Sequence, residues 1–141
     1  QKIKAITPTQ GPVQTQILLI DQNEVSRLIL KHRLEKLGCV VAEAAHFQDA
    51  LLVLRGKPFD LILIDAVLIE ASSQSVIAEI RALQSERHET QMALIAVGRI
   101  ASPIATVLQG VDAQLQKPVS TLELPQMVDR WRGPIDPNVQ K

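Results

Sequence analysis

The chain is poor in several residue types, and their scarcity restricts its function. It has one cysteine, no tyrosine and only 2% aromatic residues among its 141. A single thiol, Cys39, excludes an internal disulfide framework and is typical of a reducing compartment; we expect it to be an inert core residue. So few aromatic rings argue against a surface that stacks bases or sugars.

The chain also lacks a net charge and a long apolar run. Fifteen basic and fifteen acidic residues cancel, so no strong field attracts nucleic acid or an anionic membrane. No apolar stretch approaches the roughly 20 residues that span a bilayer, and the Gln-, Thr- and Pro-rich start has no signal-peptide core. We expect a cytoplasmic domain that contacts neither nucleic acid nor membrane. Because the chain does not begin with Met, we also expect it to be a piece of a longer protein.

Short apolar runs alternate with amphipathic segments between the two ends. The predicted strands are Ile17–Ile20, Cys39–Ala42, Leu61–Ile64, Ala93–Val97 and Ala113–Leu115. Continuous runs of Ile, Leu and Val are typical of strands buried on both faces of a parallel sheet. Four segments between and after them have the spacing of one helical face. Their predicted buried stripes are Val25, Leu28, Ile29 and His32; Phe47, Ala50, Leu51 and Leu54; Val76, Ile77, Ile80 and Leu83; and Leu124, Met127, Val128 and Trp131.

This order predicts an α/β fold built from five βα units, with Pro103 opening a short helix in the fourth unit. We predict a flavodoxin-like (βα)5 doubly wound sandwich whose five-stranded parallel sheet has the order 2-1-3-4-5. The predicted domain covers residues 16–132, between tails at 1–15 and 133–141. Ligand sites in such sheets lie at the carboxyl ends of the strands.

Charged residues follow several of the predicted strands. Asp21 and Asp65 follow the first and third strands, Gly98 and Arg99 follow the fourth, and Lys117 follows the fifth. A carboxylate can attack a phosphoryl group to form an acyl phosphate, and a lysine with Mg²⁺ can neutralise the phosphoryl oxygens. The structural alternative is that an acid after a strand only caps a helix or forms a turn.

Several stretches resemble the receiver domains of two-component response regulators, most of all those of hybrid sensor histidine kinases. They are ILLIDQNEVSRLIL, LGCVVAEAAHFQDAL, FDLILIDAVL, LIAVG, GVDAQLQKPVS and LPQMVDRW. The resemblance implies that Asp65 is the phosphoacceptor and that Asp21 is the first acid of the family's acidic pair. It also implies that Lys117 is the family's lysine, joined to Pro118 by a cis bond.

The same resemblance implies a cofactor and partners. Asp21 and Asp65 would bind Mg²⁺, and a histidine kinase or phosphotransfer domain, in cis or in trans, would supply the phosphoryl group. Partners would meet either the first helix or the surface of the fourth helix, fifth strand and fifth helix; a homodimer is a further option. The domain would then be cytoplasmic, including the case of the cytoplasmic part of a membrane-anchored sensor kinase.

The chain departs from the family pattern at several site positions. Gln22 replaces the second acid, which predicts weaker Mg²⁺ binding because hard cations depend on anionic oxygens. Gly98 replaces the switch Thr or Ser, and Gln114 replaces the switch aromatic. Where the family favours Met-Pro and then Gly after the phosphoacceptor, the chain has Leu68, Ile69 and Ser73.

Three functions therefore remain open. The first is a receiver whose own chemistry is limited to phosphorylation of Asp65, with any kinase activity in other domains of the protein. The second is a pseudo-receiver, a phosphorylation-independent interaction domain that regulates a hybrid histidine kinase, in which Asp65 and Lys117 persist as a structural pair. The third is a sensor of a small ligand near Arg99.

Overall fold

Five parallel strands in the order β2-β1-β3-β4-β5 form the centre of the molecule. The computed structural model describes residues 14–71, 75–86, 92–98 and 110–131. The strands are β1 (Gln16–Ile20), β2 (Val40–Ala44), β3 (Leu61–Asp65), β4 (Ala93–Val97) and β5 (Ala113–Leu115). The described helices are α1 (Glu24–Lys36), α2 (Phe47–Gly56), α3 (Ala66–Ala71), α4 (Ser75–Glu86) and α5 (Glu123–Trp131). The predicted doubly wound α/β fold and its strand order are confirmed.

The central strands are apolar because both faces of the sheet are covered. Side chains alternate between the two faces along a strand, and this divides β1 between two cores. Ile17 and Leu19 pack in a core with residues of α1 and α5. Leu18 and Ile20 pack on the opposite face with residues of α2 and α4. An uninterrupted apolar run was therefore the correct signal for a strand inside a parallel sheet.

Helix α1 buries a different face from the one predicted. Leu30 and Leu34 are its buried residues, whereas Val25, Leu28 and Ile29 are 66%, 52% and 54% exposed. With 3.6 residues per turn, these two sets lie on opposite sides of the helix. The helix carries two apolar stripes, and the one predicted to be buried faces solvent.

The predictions for two side chains in or near α1 had opposite outcomes. His32 lies on the exposed stripe and is itself exposed, so the expectation that it packs in the core is wrong. Cys39 is buried, as predicted for an inert core thiol. The stripe of α5 is also confirmed, because Leu124, Met127 and Val128 are buried and Trp131 packs against them.

The boundaries of three strands differ from the predicted ones. Strand β1 begins at Gln16, one residue earlier than predicted. Strand β2 runs from Val40 to Ala44, so it begins one residue later and ends two residues later than the predicted Cys39–Ala42. Asp65 is the last residue of β3, and α3 begins directly after it, so a helix that the sequence did not predict starts at the candidate site. Ser73, Arg99 and the helix predicted at Pro103 lie outside the described residues.

A single arginine ties together the amino ends of β4 and β5. Arg81 of α4 donates to the carbonyl oxygens of Met92 and Gly110 at 2.7 and 2.8 Å. It also pairs with the carboxylate of Asp112 at 3.0 Å and donates to the Gln84 side chain. Each of its contacts lies at the end of the sheet opposite the candidate site, so this network is structural. No helix within the described ranges is long and apolar enough to cross a bilayer.

Candidate functional site

Three charged side chains from three strand ends meet at the carboxyl edge of the sheet. The Lys117 Nζ atom lies 2.9 Å from Oδ2 of Asp21 and 3.6 Å from Oδ2 of Asp65. The first distance is a hydrogen bond, and the second is an ion pair without one. The peptide bond from Lys117 to Pro118 is cis. The residues singled out in the sequence are therefore together, although Lys117 bonds to Asp21 rather than to Asp65.

Asp21 is an almost completely buried carboxylate that the surrounding groups stabilise in its charged form. It is 1% exposed, and its Oδ1 atom accepts a hydrogen bond from the backbone N–H of Asn23 at 2.9 Å. Burial acts to raise the pKa of this carboxyl, but the bonds from Lys117 and Asn23 and the charge of Lys117 together hold its pKa below the usual value. Asn23 also caps α1, because its side chain accepts from the N–H of Ser26.

Asp65 is also buried, at 6% exposure, but its charged form is less well supported. Its Oδ1 atom accepts a hydrogen bond from the N–H of Val67 at 3.2 Å. Burial and the negative charge of Asp21 raise the pKa of this carboxyl, although the N–H of Val67 and the charge of Lys117 act in the opposite direction. Two buried acids share one ammonium group, and the negative charge of Asp65 is the less completely neutralised of the two.

Gly98 and Gln114, the two switch positions, are joined by a hydrogen bond. The Gln114 side-chain amide donates to the Gly98 carbonyl oxygen at 2.8 Å, and the Gly98 N–H donates to the Leu115 carbonyl at 2.7 Å. Gly98 has a φ of +117°, a backbone conformation that residues other than glycine rarely adopt. A Cβ atom there would lie 3.6 Å from Oδ1 of Asp65. The position therefore borders the candidate acceptor but holds no hydroxyl.

Two arginines of α1 contact backbone carbonyls at or near the site, and neither was among the predicted site residues. Arg27 donates to the Asp21 carbonyl oxygen at 2.6 Å and pairs with Glu43 of β2 at 3.1 Å. Arg33 donates to the carbonyl oxygens of Val119 and Ser120 at 2.7 and 2.9 Å. The sequence gives only a weak signal for them, namely a charged residue at the margin of the buried helical face. Their partners near the site are backbone carbonyl oxygens, which every residue has.

Exposed apolar side chains lie close to the acidic residues in the chain. Val25, Leu28 and Ile29 form what we call the α1 stripe, which starts in the first turn of the helix that follows Asp21. Val67, two residues after Asp65, is 51% exposed. Exposed apolar residues in groups are typical of surfaces that bind other proteins.

The oxygen atoms suited to a divalent cation come from two residues. No group of three or more His, Cys, Asp or Glu side chains that could hold a metal occurs in the ranges described above. Asp21 and Asp65 are carboxylates at one edge, and Mg²⁺ in proteins is commonly bound by one or two carboxylates with water completing the shell. Gln22 is exposed and adds no charge. These two carboxylates therefore fit Mg²⁺, although they carry less negative charge than a site with three carboxylates.

The geometry and the sequence agree on one family. The family model described as the response regulator receiver domain matches residues 17–129. The chain belongs to this family. Sensor histidine kinase GacS of Pseudomonas protegens is 31% identical over 120 residues, which are 83% of this chain. Sensor protein GacS of Pseudomonas syringae pv. syringae is 28% identical over 91% of this chain. The receiver domain described here is thus homologous to those of hybrid sensor kinases.

The receiver domain accounts for a small part of these kinases. The matches cover 13% and 14% of the two GacS proteins. In contrast, an uncharacterized 14.6 kDa protein of Leptolyngbya boryana matches along 93% of its length at 29% identity. The family thus includes chains of very different total length.

Solved structures share the fold. The receiver domain of sensor histidine kinase PA1611 from Pseudomonas aeruginosa has a TM-score of 0.70 and 27% identity, covering 84% of this chain and 98% of that one. It was solved with a magnesium ion coordinated in its active-site cleft. A chain in the co-crystal of Saccharomyces cerevisiae Ypd1 with the receiver domain of Ssk1 has a TM-score of 0.73 and 20% identity, covering 91% and 97%. At that identity the likeness concerns the fold alone.

Proposed function

We propose that this receiver domain accepts a phosphoryl group on Asp65 from a histidine kinase or a histidine phosphotransfer domain. The observation that supports this most directly is the underneutralised Asp65 carboxylate beside Lys117, with a second buried acid, Asp21, next to both. A buried acid with a raised pKa and a specific charged partner is a frequent feature of reactive sites. Phosphoryl transfer requires mainly positioning and charge neutralisation, and both are available at this edge.

The chemistry assigned to each side chain follows from its contacts. The Asp65 Oδ1 atom is held by the N–H of Val67, and the Oδ2 atom lies toward Lys117. We assign the attack to Oδ2: its bond to phosphorus forms as the bond from phosphorus to the donor imidazole nitrogen breaks, and that nitrogen keeps the electron pair. The ammonium of Lys117 then faces the new phosphoryl oxygens. The product is an acyl phosphate on Asp65.

Mg²⁺ fits this site as a weakly held cofactor. Asp21 and Asp65 would hold it, and its charge would neutralise phosphoryl oxygens during transfer. With Gln22 in place of a second acid, we expect binding to be weaker than a three-carboxylate site would give. The cytoplasm, which holds Mg²⁺ and phosphodonor kinases, is the location that suits this function. The neutral net charge of the chain supports a domain that binds neither nucleic acid nor membrane.

We place the docking surface for the phosphodonor on the α1 stripe. A donor histidine must reach Asp65, so its domain has to cover the carboxyl edge of the sheet. The α1 stripe begins one turn from Asp21 and exposes Val25, Leu28 and Ile29 by more than half. Apolar side chains at this spacing fit the face of a partner helix. The Ssk1 receiver is known in complex with the phosphotransfer protein Ypd1, which supports this class of partner.

Intact-mass spectrometry after incubation with acetyl phosphate and Mg²⁺ tests the acceptor directly. We expect one phosphoryl adduct on the unmodified chain and none on Asp65→Asn. Asp60→Asn is a suitable control, because Asp60 lies at the amino end of the sheet, where its carboxylate accepts from the N–H of Gln16. An adduct on Asp65→Asn, or no adduct on any chain, would contradict the proposal.

A pair of leucine substitutions tests the docking surface. Leu28→Asp and Leu52→Asp both place a charge at an exposed leucine, since the two side chains are 52% and 66% exposed. Leu52 lies on α2, away from the α1 stripe. We expect Leu28→Asp to slow transfer from a phosphorylated phosphotransfer domain at least tenfold, about 1.4 kcal/mol, while leaving acetyl phosphate labelling unchanged. Equal slowing by both substitutions would place the docking surface elsewhere.

The pseudo-receiver is the second candidate, and one observation favours it. The hydrogen bond between the Gln114 side chain and the Gly98 carbonyl joins the two positions at which the family changes conformation. A domain with this arrangement can act as a fixed interaction module, with Asp65 and Lys117 as a structural pair. The mass measurement separates the two candidates, because a pseudo-receiver forms no Asp65 adduct.

A further inference from the structure

Lys117 follows a short strand at the edge of the sheet. Strand β5 has three residues and pairs only with β4 within the described ranges. Lys117 lies two residues beyond its end, in the segment that leads to α5. A short edge strand alone fixes the position of such a segment poorly, because few backbone bonds hold it. Another part of the molecule has to fix the position of the ammonium group.

Arg33, which lies far away in the sequence, supplies that restraint. Its guanidinium donates to the carbonyl oxygens of Val119 and Ser120, 86 and 87 positions later in the sequence. Hydrogen bonds from a charged donor are stronger than neutral ones. Val119 is also buried in the core shared with α1, and the Ser120 hydroxyl accepts from the N–H groups of Leu122 and Glu123 at the start of α5. The end of the segment that follows Lys117, at Val119 and Ser120, therefore contacts both α1 and α5.

The position of Arg33 on α1 makes this contact more than an isolated bond. Leu30 and Leu34 anchor the helix in the core. Arg33 lies on one flank of that buried face and Arg27 on the other. Arg27 holds the carbonyl of Asp21. Helix α1 thus contacts the Asp21 carbonyl on one side of the hydrogen bond between Asp21 and Lys117. On the other side it contacts the two carbonyls that lie two and three residues beyond Lys117.

We propose that Arg33 is a positioning residue for Lys117, through which α1 sets the distance between the ammonium group and the two acids. The inference rests on the proposed function of Asp65 as phosphoacceptor and adds how its geometry is maintained. Because the α1 stripe lies on the outer face of the same helix, a partner that docks there contacts the element that holds Lys117 in place. Arg33 touches neither acid and acts only through the 117–120 segment.

The test compares two arginines that make similar contacts at opposite ends of the sheet. Arg33→Lys keeps the charge but removes the planar fork that can bond two carbonyls at once. Arg81→Lys makes the same change at the amino end, where Arg81 bonds the carbonyls of Met92 and Gly110. Both variants are compared at a temperature at which circular dichroism shows them fully folded. Two quantities are measured, the rate of acetyl phosphate labelling and the pKa of the Asp21 carboxyl from its ¹³C shift.

The expected results differ between the two variants. For Arg33→Lys we expect labelling to slow about tenfold, since a displacement of roughly 1 Å can slow a reaction by up to 100-fold. The pKa of Asp21 should rise, because burial then acts without the full effect of Lys117. Arg81→Lys should change labelling less than about twofold and leave the Asp21 pKa unchanged.

Two results would overturn the inference. The first is an unchanged Asp21 pKa in Arg33→Lys, and the second is an equal effect of both variants, which would indicate general loosening. If the unmodified chain accepts no phosphoryl group, the proposed function fails by itself. The pKa comparison still decides the position of Lys117 in that case, because it requires no phosphorylation.

Discussion

Two charged clusters, one at each end of the central sheet, differ in how completely their charges are matched. At the amino end, Arg81 pairs with Asp112, and the Asp112 carboxylate also accepts from the N–H of Leu94. At the carboxyl end, Asp21 and Asp65 share the ammonium of Lys117. The first arrangement leaves no excess charge. The second leaves a negative charge in a buried place.

This difference separates a structural site from the proposed reactive one within one fold. Matched groups contribute stability and have no reason to react further. An unmatched buried acid reduces stability, and a phosphoryl group with its cation can change that balance. Natural domains commonly accept such local costs at functional sites. The comparison therefore predicts that substitutions at the two ends have different, and in one case opposite, effects on stability.

The largest loss of stability is expected at the amino end. Arg81→Met removes the hydrogen bonds to Met92, Gly110 and Gln84 and the ion pair with Asp112. We expect the free energy of unfolding to fall by about 2–4 kcal/mol, measured by urea denaturation. Labelling of the still folded protein by acetyl phosphate should not change. A labelling defect as large as that of a carboxyl-end variant would contradict the division between the two ends.

Asp21→Asn should produce the next largest effect. Lys117 loses the negative charge of its hydrogen-bonded partner, and we expect a loss of about 1–3 kcal/mol at neutral pH. Because the folded-state pKa of Asp21 is lowered, its stabilisation is present above the unfolded-state pKa and is lost as the pH falls through the folded-state pKa. Urea denaturation at neutral and acid pH should therefore show the two proteins converging in acid. A constant difference would mean that Asp21 acts through its shape rather than its charge.

Restoring a hydroxyl at the switch position should reduce stability. Gly98→Ser places a Cβ at a residue whose φ is +117°, and we expect a loss of about 1–2 kcal/mol from backbone strain. Gly56→Ser is the control, because Gly56 lies in α2 and a Cβ there meets nothing within 4 Å. Thermal denaturation should show a lower midpoint for Gly98→Ser alone. An unchanged midpoint would show that the backbone can relax at this position.

Asp65→Asn should have the smallest effect and the opposite sign. The folded-state pKa of Asp65 is raised, so its stabilisation is present below the unfolded-state pKa and is lost as the pH rises through the folded-state pKa. Removing the charge should increase stability at neutral pH by less than about 1 kcal/mol, since Lys117 loses a partner at the same time. Urea denaturation at neutral pH measures it. A loss of stability instead would favour the pseudo-receiver, in which Asp65 and Lys117 form a structural pair.

Much of the architecture followed from local patterns. Uninterrupted apolar runs marked β1, β3 and β4 because the sheet is buried on both faces. The order of strands and helices predicted the parallel sheet, and the sheet brought Asp21, Asp65 and Lys117 to one edge. The family resemblance supplied the roles proposed for these residues. The boundaries of the domain at residues 16 and 132 remain predictions.

The sequence by itself thus determined the five strands, the order of the described elements other than α3 and the residues at the strand ends, because these depend on periodicity along the chain. It did not determine which face of α1 is buried, since Leu30 and Leu34 compete with the α1 stripe and only the sheet beneath selects between them. Nor did it determine that Lys117 bonds to Asp21 or that Arg33 holds the segment after it. Those contacts join residues more than 80 positions apart, and only tertiary packing brings such residues together.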